Sequence, residues 1–405
     1  MCLRVIQIGL TYLTVNTMAV AHNPEKRSIK LSWIALGLLI FQLIVAAIPA
    51  QAAKGLPGSS EFGFGARLDI WGLETDLAIN AAIAIGLDWV AVDFDWARHW
   101  STESAAPTLD RIDQVIQPAG QNGLGVLISI TNPPAWARTA AGPDPGKTAA
   151  LLTLLARRYP HAQLAFELFP APNTSLGWGA SPNPQAYAEL LRIAYQSVGS
   201  LDQSAVLLAG GLSPIDPQDR AGDMDDLVFL EALYRAGAAS FMPVIGLRLT
   251  ALKGDALAPA DQTGARVLRH YEAVRQVMLE HGHAQGMVWI TGYHWPDSIA
   301  STSVSDSTEQ VRWLNQALHL MKSQLYLGVA IYDPLNPPVE SHRLDSSGAS
   351  LIIKQADQVY LHPAVKALGR IITMLRTGQN TSYQLFLYKK ITSGPAKSLL
   401  KSIQP

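Results

Sequence analysis

Eight short apolar segments, each parted from the next by a longer stretch with helical spacing, constrain this chain more than any other feature. They fall at residues 62–69, 89–96, 125–131, 162–169, 205–212, 243–250, 287–295 and 327–335. Strands alternating with helices are the pattern of βα units around a parallel sheet, and eight such units are the number that closes a barrel. The gaps carry apolar residues at three- and four-residue spacing, as at 74–87, 110–122, 184–200, 266–281 and 309–322. Within 184–200 the stripe of Ala186, Tyr187, Leu190, Leu191, Ala194 and Tyr195 is predicted to face the sheet, leaving Glu189 and Arg192 outside. A last helix at 363–376 completes the ring. The expected fold is α/β, a (β/α)8 TIM barrel in one domain over 54–376. An open doubly wound sheet is the alternative. It calls for a glycine-rich phosphate turn after the first strand, and Gly63-Phe64-Gly65 lies inside that strand without the third glycine.

With 48% hydrophobic and 16% charged residues among 405, the chain has the apolar material for a large core. Its formal net charge of -1 offers no clustered cationic excess for phosphate neutralisation, which sets nucleic acid aside as a partner. The sole cysteine is Cys2, at the extreme amino terminus, so no internal disulfide, cysteine-based zinc site or thiol nucleophile is expected in the folded body. At the amino terminus Lys26, Arg27 and Lys30 precede an apolar run at 31–48, followed by Ala50-Gln51-Ala52, a small-x-small pattern that suits signal peptidase. At about 18 residues the run approaches the ~20 that span a bilayer, so an uncleaved anchor fits as well. Residues 1–53 therefore read as a leader or membrane anchor, with Met18 as an alternative start. The protein is expected to be exported, either secreted or anchored at the cell envelope. The tail, 377–405, carries Lys389, Lys390, Lys397 and Lys401. It reads as a solvated extension, or as a contact with an anionic membrane surface.

In β/α barrels the working residues lie where strands end and βα loops begin. Trp71, Trp96, Trp100, Trp136, Trp178 and Trp295 all fall at or just after predicted strand ends. Sugars present apolar C–H faces that lie flat on indole rings, so a tryptophan-rimmed mouth suits a saccharide. Capping of the barrel by loop packing is the competing account of the same residues.

Three segments, Phe62-Gly63-Phe64-Gly65, Trp89-Val90-Ala91-Val92-Asp93 and Ile130-Thr131-Asn132-Pro133-Pro134-Ala135-Trp136, together with the stretch from Phe166 to Pro214, resemble clan A glycoside hydrolases of the cellulase and β-xylosidase kind. Members of that clan read roughly Glu-x-Trp-Asn-Glu-Pro-Asn where this chain has Glu167-Leu168-Phe169-Pro170-Ala171-Pro172-Asn173. The resemblance implies a general acid/base at Ala171. It implies a nucleophile at Gly292, where Ile290-Thr291-Gly292-Tyr293-His294-Trp295 stands against the family's Ile-Thr-Glu-x-Gly-Trp. Arg248 stands where the sixth strand of relatives usually supplies a histidine. Retaining hydrolysis needs two carboxyl groups about 5 to 5.5 Å apart, and neither alanine nor glycine supplies one.

Replacement acids are few. Asp93 and Asp95, two apart on one strand, are predicted to point together into the barrel, with Glu167 on the fourth strand and Asp333 on the eighth. They serve either as relocated catalytic groups or as partners of Arg67, Arg98 or Arg248 in a polar interior. His99 and His294 belong to no metal-ligand spacing, and no Gly-x-Ser-x-Gly elbow occurs, so no metal or cofactor is expected. The first functional expectation is a non-catalytic carbohydrate-binding barrel. Trp136, Trp178 and Trp295 would be its platforms, with Asn132, Asn173, Glu167, Tyr293, His294 and Arg248 as polar contacts. An active glycosidase with relocated acids, and an envelope scaffold that docks a partner through an apolar patch outside the mouth, are the alternatives.

Overall fold

A computed structural model of the chain describes residues 54–72, 75–200, 205–215, 222–253, 255–260, 266–295, 304–337, 350–355 and 358–377. The expected leader or anchor and the tail beyond residue 377 lie outside these. Among the described residues no helix is long and apolar enough to cross a membrane.

The eight expected strands are present: β1 (Gly63–Leu68), β2 (Trp89–Asp95), β3 (Gly125–Thr131), β4 (Leu164–Leu168), β5 (Val206–Leu212), β6 (Val244–Leu249), β7 (Met287–Tyr293) and β8 (Leu327–Tyr332). Each pairs in parallel with its sequence neighbours, and β8 returns to pair with β1, closing the barrel. The helices between them are α1 (Thr75–Ile85), α2 (Asp110–Gln121), α3 (Pro145–Arg158), α4 (Pro184–Gly199), α5 (Asp226–Arg235), α6 (Tyr271–Glu280) and α7 (Val304–Lys322), and α8 (Pro363–Thr377) follows β8. Several starts are written in the sequence. Asp144 caps α3 by accepting the Lys147 N–H, with Pro145 in the first turn, and Asn183 with Pro184 does the same for α4.

Residues of alternating parity separate two cores. One set faces outward onto the helices and includes Phe64, Val90, Val92, Ile128 and Ile290; the other fills the barrel with Trp89, Ala91, Leu127, Ala165, Leu208, Val244, Trp289, Val329 and Ile331. The Phe62-Gly63-Phe64-Gly65 alternation follows from this. Its glycines face inward, where a Cβ at Gly63 would lie 2.9 Å from the Trp89 ring and one at Gly65 would collide with Ile331. Trp89 and Trp289 meet edge to face at 4.9 Å in the barrel floor. Their indole N–H groups donate to the carbonyls of Lys54 and Gly55 at 2.8 and 2.9 Å, so the segment entering β1 closes the bottom.

Two helix details differ from the sequence reading. Tyr195 lies outside the buried stripe of α4, 39% exposed and tilted against Phe241, while Ala188 and Val198 take the inward face. Eight residues from Tyr187 amount to a rotation of about 80° at 3.6 residues per turn, enough to leave the seam. A single 3-10 turn at Leu268–His270 delays the start of α6 to Tyr271.

Candidate functional site

The inward positions at the carboxyl ends of the strands turn from apolar to charged. Arg67, at the end of β1, is fully buried and forms the hub. Its Nη1 donates to Asp93 Oδ1 and, at 3.0 Å, to Ser129 Oγ; its Nη2 donates to the Thr291 carbonyl at 2.7 Å. The same guanidinium stands 3.6 Å from Glu167 and 3.3 Å from Asp333. Burial pulls the Arg67 pKa below its ordinary value, opposed chiefly by Asp93, while Arg248 adds to the lowering. Arg248 Nη2 donates to Asp333 Oδ2 at 2.9 Å and lies 4.0 Å from Asp93. Ser129 Oγ donates to Glu167 Oε2. Three carboxylates thus share two guanidinium groups in a buried charged layer, within which Glu167 Oε1, Thr291 Oγ1 and Arg67 Nε make no hydrogen bond. Side-chain exposure within this layer is 25% for Asp93 and 16% for Arg248, against 0 to 2% for Arg67, Glu167 and Asp333, so solvent reaches the layer through Asp93 and Arg248.

The two positions at which the sequence resemblance expects catalytic carboxylates, Gly292 and Ala171, have different surroundings. A Cβ at Gly292 would lie 3.0 Å from Asp333 Oδ2 and 3.3 Å from both Cγ and Nε of Arg248, so these two side chains fill the place where a longer residue would extend. At Ala171 the loop is held by backbone hydrogen bonds. Its N–H donates to the Gly211 carbonyl at 2.8 Å, and its own carbonyl accepts the Thr174 N–H and hydroxyl, each at 2.9 Å. The backbone there is left-handed, with φ of 58°, a conformation that costs an alanine about 1 kcal/mol or more.

The remaining expected contacts divide by burial. Trp136 is half-buried, with Trp96 perpendicular to it at 5.6 Å and Trp100 at 5.1 Å. Trp71 is also half-buried and carries the Arg98 guanidinium over its ring at 3.7 Å. The indole N–H groups of Trp71, Trp100 and Trp136 have no hydrogen-bond partner. Asn132 is exposed, at φ 44°, and donates to Asp95 Oδ1 at 2.9 Å.

Trp178 and Trp295 are 1% and 2% exposed, which corrects the expectation that they serve as platforms. Trp178 donates its indole N–H to the Ala141 carbonyl at 2.8 Å and packs on Phe169 and Tyr187, leaving no face for a ligand. Asn173 is likewise buried. Its amide donates to the Ser213 and Met224 carbonyls and accepts the Ser213 N–H, tying the loop after β4 to the one after β5. Tyr293 is buried against Tyr332 and Trp295, and burial drives its hydroxyl pKa well up. His294 is buried, with Nε2 accepting the Ala251 N–H at 3.3 Å.

Asp95 does not join Asp93 in the interior. The strand ends at Asp95, which caps the short helical turn Trp96–His99 by accepting the Arg98 N–H at 3.0 Å, so the two-residue alternation no longer sets its direction. Arg98 lies on Trp71 rather than in the interior cluster. Ser129 and Thr291, which the motifs passed over, complete the layer; their inward parity on β3 and β7 is the signal that finds them. Among the described residues no group of three or more His, Cys, Asp or Glu side chains is placed to hold a metal ion.

No family model matches the sequence, and no curated protein matches it. Solved structures do. A family 39 glycoside hydrolase from the gut symbiont Bacteroides cellulosilyticus WH2 aligns with a TM-score of 0.57 at 15% identity, over 78% of this chain and 64% of that one. The chain therefore spans less than two thirds of that enzyme's length. GH5_18 from Streptomyces cattleya, solved in complex with GlcNAc, gives 0.55 at 12% identity over 79% of this chain and 82% of its own. A beta-glucosidase from Exiguobacterium marinum gives 0.54 at 11%, over 79% and 99%. At such identities the fold is what is shared. The clan A glycoside hydrolase barrel expected from the sequence is the fold observed, an eight-stranded parallel barrel like those of glycoside hydrolase families 39, 30 and 5.

Proposed function

We propose that this chain is a glycoside-hydrolase-like barrel that binds a saccharide at its mouth without hydrolysing it. The observation that carries the reading is the filling of the space at Gly292 by Arg248 and Asp333. Retaining chemistry needs an attacking carboxylate free to approach an anomeric carbon, and here the nearest carboxylate is engaged by two guanidinium groups. Binding asks for less. The half-buried indoles of Trp100 and Trp136 offer apolar faces for sugar C–H groups, while Asn132, Asp93 and Arg248 offer hydrogen-bonding partners for hydroxyls. The apolar run at 31–48 supports placing this activity outside the cytoplasm, at the cell envelope.

Titration calorimetry against cell-wall and exopolysaccharide oligomers, paired with turnover assays on aryl glycosides, tests the proposal. Saturable binding without turnover is expected, weakened about tenfold by Trp136→Ala, the loss of one stacking face. A second reading, hydrolysis by relocated acids, is favoured by one observation. Glu167 Oε1 is buried without a hydrogen-bond partner. Turnover abolished by Glu167→Gln would establish that reading and end the first.

A further inference from the structure

We infer that the end of the barrel opposite the mouth rests against a lipid bilayer, so that the mouth opens away from it. The inference goes beyond sugar binding and rests on the envelope placement proposed above. Its first support is where the chain enters and leaves the barrel. Lys54 lies at the floor, where its carbonyl accepts the Trp89 indole N–H at 2.8 Å and its ammonium stands 3.5 Å from Asp88 Oδ1. Arg376, in the last turn of α8, donates to the other oxygen of Asp88 at 2.6 Å. Asp88 sits one residue before β2 and accepts the Phe64 N–H at 2.9 Å, so one side chain at the floor ties the entry of the barrel to its last helix. The apolar run at 31–48 ends six positions before Lys54. Six residues span at most about 22 Å when fully extended, so a bilayer that holds this run lies against the floor and not against the mouth. The tail follows Arg376 at the same end, and its four lysines with no acidic residue suit an anionic lipid surface.

A second, independent observation is the surface of the connections at that end. In a β/α barrel the loops that lead from helix to strand gather opposite the mouth. Leu325, between α7 and β8, is 97% exposed, the highest value for any large hydrophobic side chain among the described residues. Leu279, in the last turn of α6, is 47% exposed on the neighbouring connection. The two connections are held together where the Val288 N–H, at the base of β7, donates to the Tyr326 carbonyl at 2.8 Å. Tyr326 is half-buried and carries the Arg275 guanidinium over its ring at 4.9 Å. Leucines held out into water on such a surface gain by entering the acyl boundary of a bilayer, and a tyrosine beside them suits its headgroup level.

The test places a thiol-linked fluorophore at Leu325→Cys or at Leu176→Cys in the full-length protein, with Cys2→Ser removing the native thiol. Leu176 follows β4 on the mouth side and is 79% exposed, so neither substitution disturbs packing. The two sites lie at opposite ends of strands about 20 Å long. Each protein is reconstituted into phosphatidylethanolamine and phosphatidylglycerol vesicles with a spin-labelled quencher at headgroup depth in both leaflets. The probe at 325 should lose about half of its emission, as a side chain seated in the interface does, and the probe at 176 close to none. Should the Leu325 variant fail to fold, Leu279→Cys takes its place with the same expectation. Equal quenching at the two ends, stronger quenching at 176, or failure of the protein to sediment with the vesicles would overturn the inference. Calorimetry with saccharides on the same preparations reads the sugar site separately, so loss of either reading leaves the other standing.

Discussion

Over β1, β2 and β3 the mouth of this barrel is rimmed by half-buried indoles, whereas over β6, β7 and β8 it is filled from within by Arg248 and Asp333 and lined by the buried Tyr293, His294 and Trp295. The first sector keeps surface that a ligand can reach. The second is occupied by the Arg248–Asp333 ion pair. Binding a sugar needs only accessible faces and hydrogen-bonding groups, while cleaving one needs two carboxyl groups set at about 5 to 9.5 Å across the scissile bond, so the two capacities can part company on one scaffold. The loop after β4 stands between the sectors. Its backbone keeps the left-handed Ala171 and the hydrogen bonds around it, although that residue has no side chain with which to move a proton.

The sharpest way to break the comparison is to remove the hub of the filled layer. Arg67→Met leaves Asp93, Glu167 and Asp333 without their shared partner and should cost about 3 to 5 kcal/mol in urea unfolding. A loss under about 1 kcal/mol would mean that these charges are not held as described. A smaller effect is expected from Gly292→Ala, whose Cβ would crowd Asp333 and Arg248 and cost about 1 to 3 kcal/mol. Combining it with Arg248→Ala should relieve part of that cost. Strict additivity of the two changes would contradict the packing at Gly292.

The smallest effect concerns the open sector. His99 stacks on Phe94 at 4.5 Å and bonds the Thr108 carbonyl through Nδ1. Burial lowers its pKa below 6.5, against the raising effect of that carbonyl. As pH falls below 6.5 the unfolded chain takes up a proton that the folded ring resists, so stability is full above that pH and declines beneath it. His283 and His362 are shifted in the same sense. Replacing His99 by Phe should flatten the acid side of a thermal-melting profile by a fraction of the ~1.4 kcal/mol per pH unit that one full proton contributes. An unchanged acid slope would show that His99 contributes nothing to it.

The barrel was legible because its signals are local. The strand expected at 125–131 is observed with those bounds and the one expected at 205–212 begins one residue later, because apolar runs bounded by polar turns mark them, and the helix expected at 184–200 is α4. Parity along β2 and β4 put Asp93 and Glu167 inside, and the pairing with Arg67 is one of the two alternatives those residues left open. Direction beyond a strand end is not local. Asp95, two residues from Asp93, turned to cap a helix, and Trp178 and Trp295 turned into the core, because loop residues take their orientation from whatever the loops pack against.

Residue identity alone determined that alanine and glycine occupy the positions where the resemblance expects catalytic acids, since no conformation gives either residue a carboxyl group. What occupies the space beside Gly292 was a tertiary decision. Arg248 and Asp333 are 85 positions apart in the chain. They meet over Gly292 because closing the barrel carries the ends of β6, β7 and β8 to one layer, and buried charges must find their partners there.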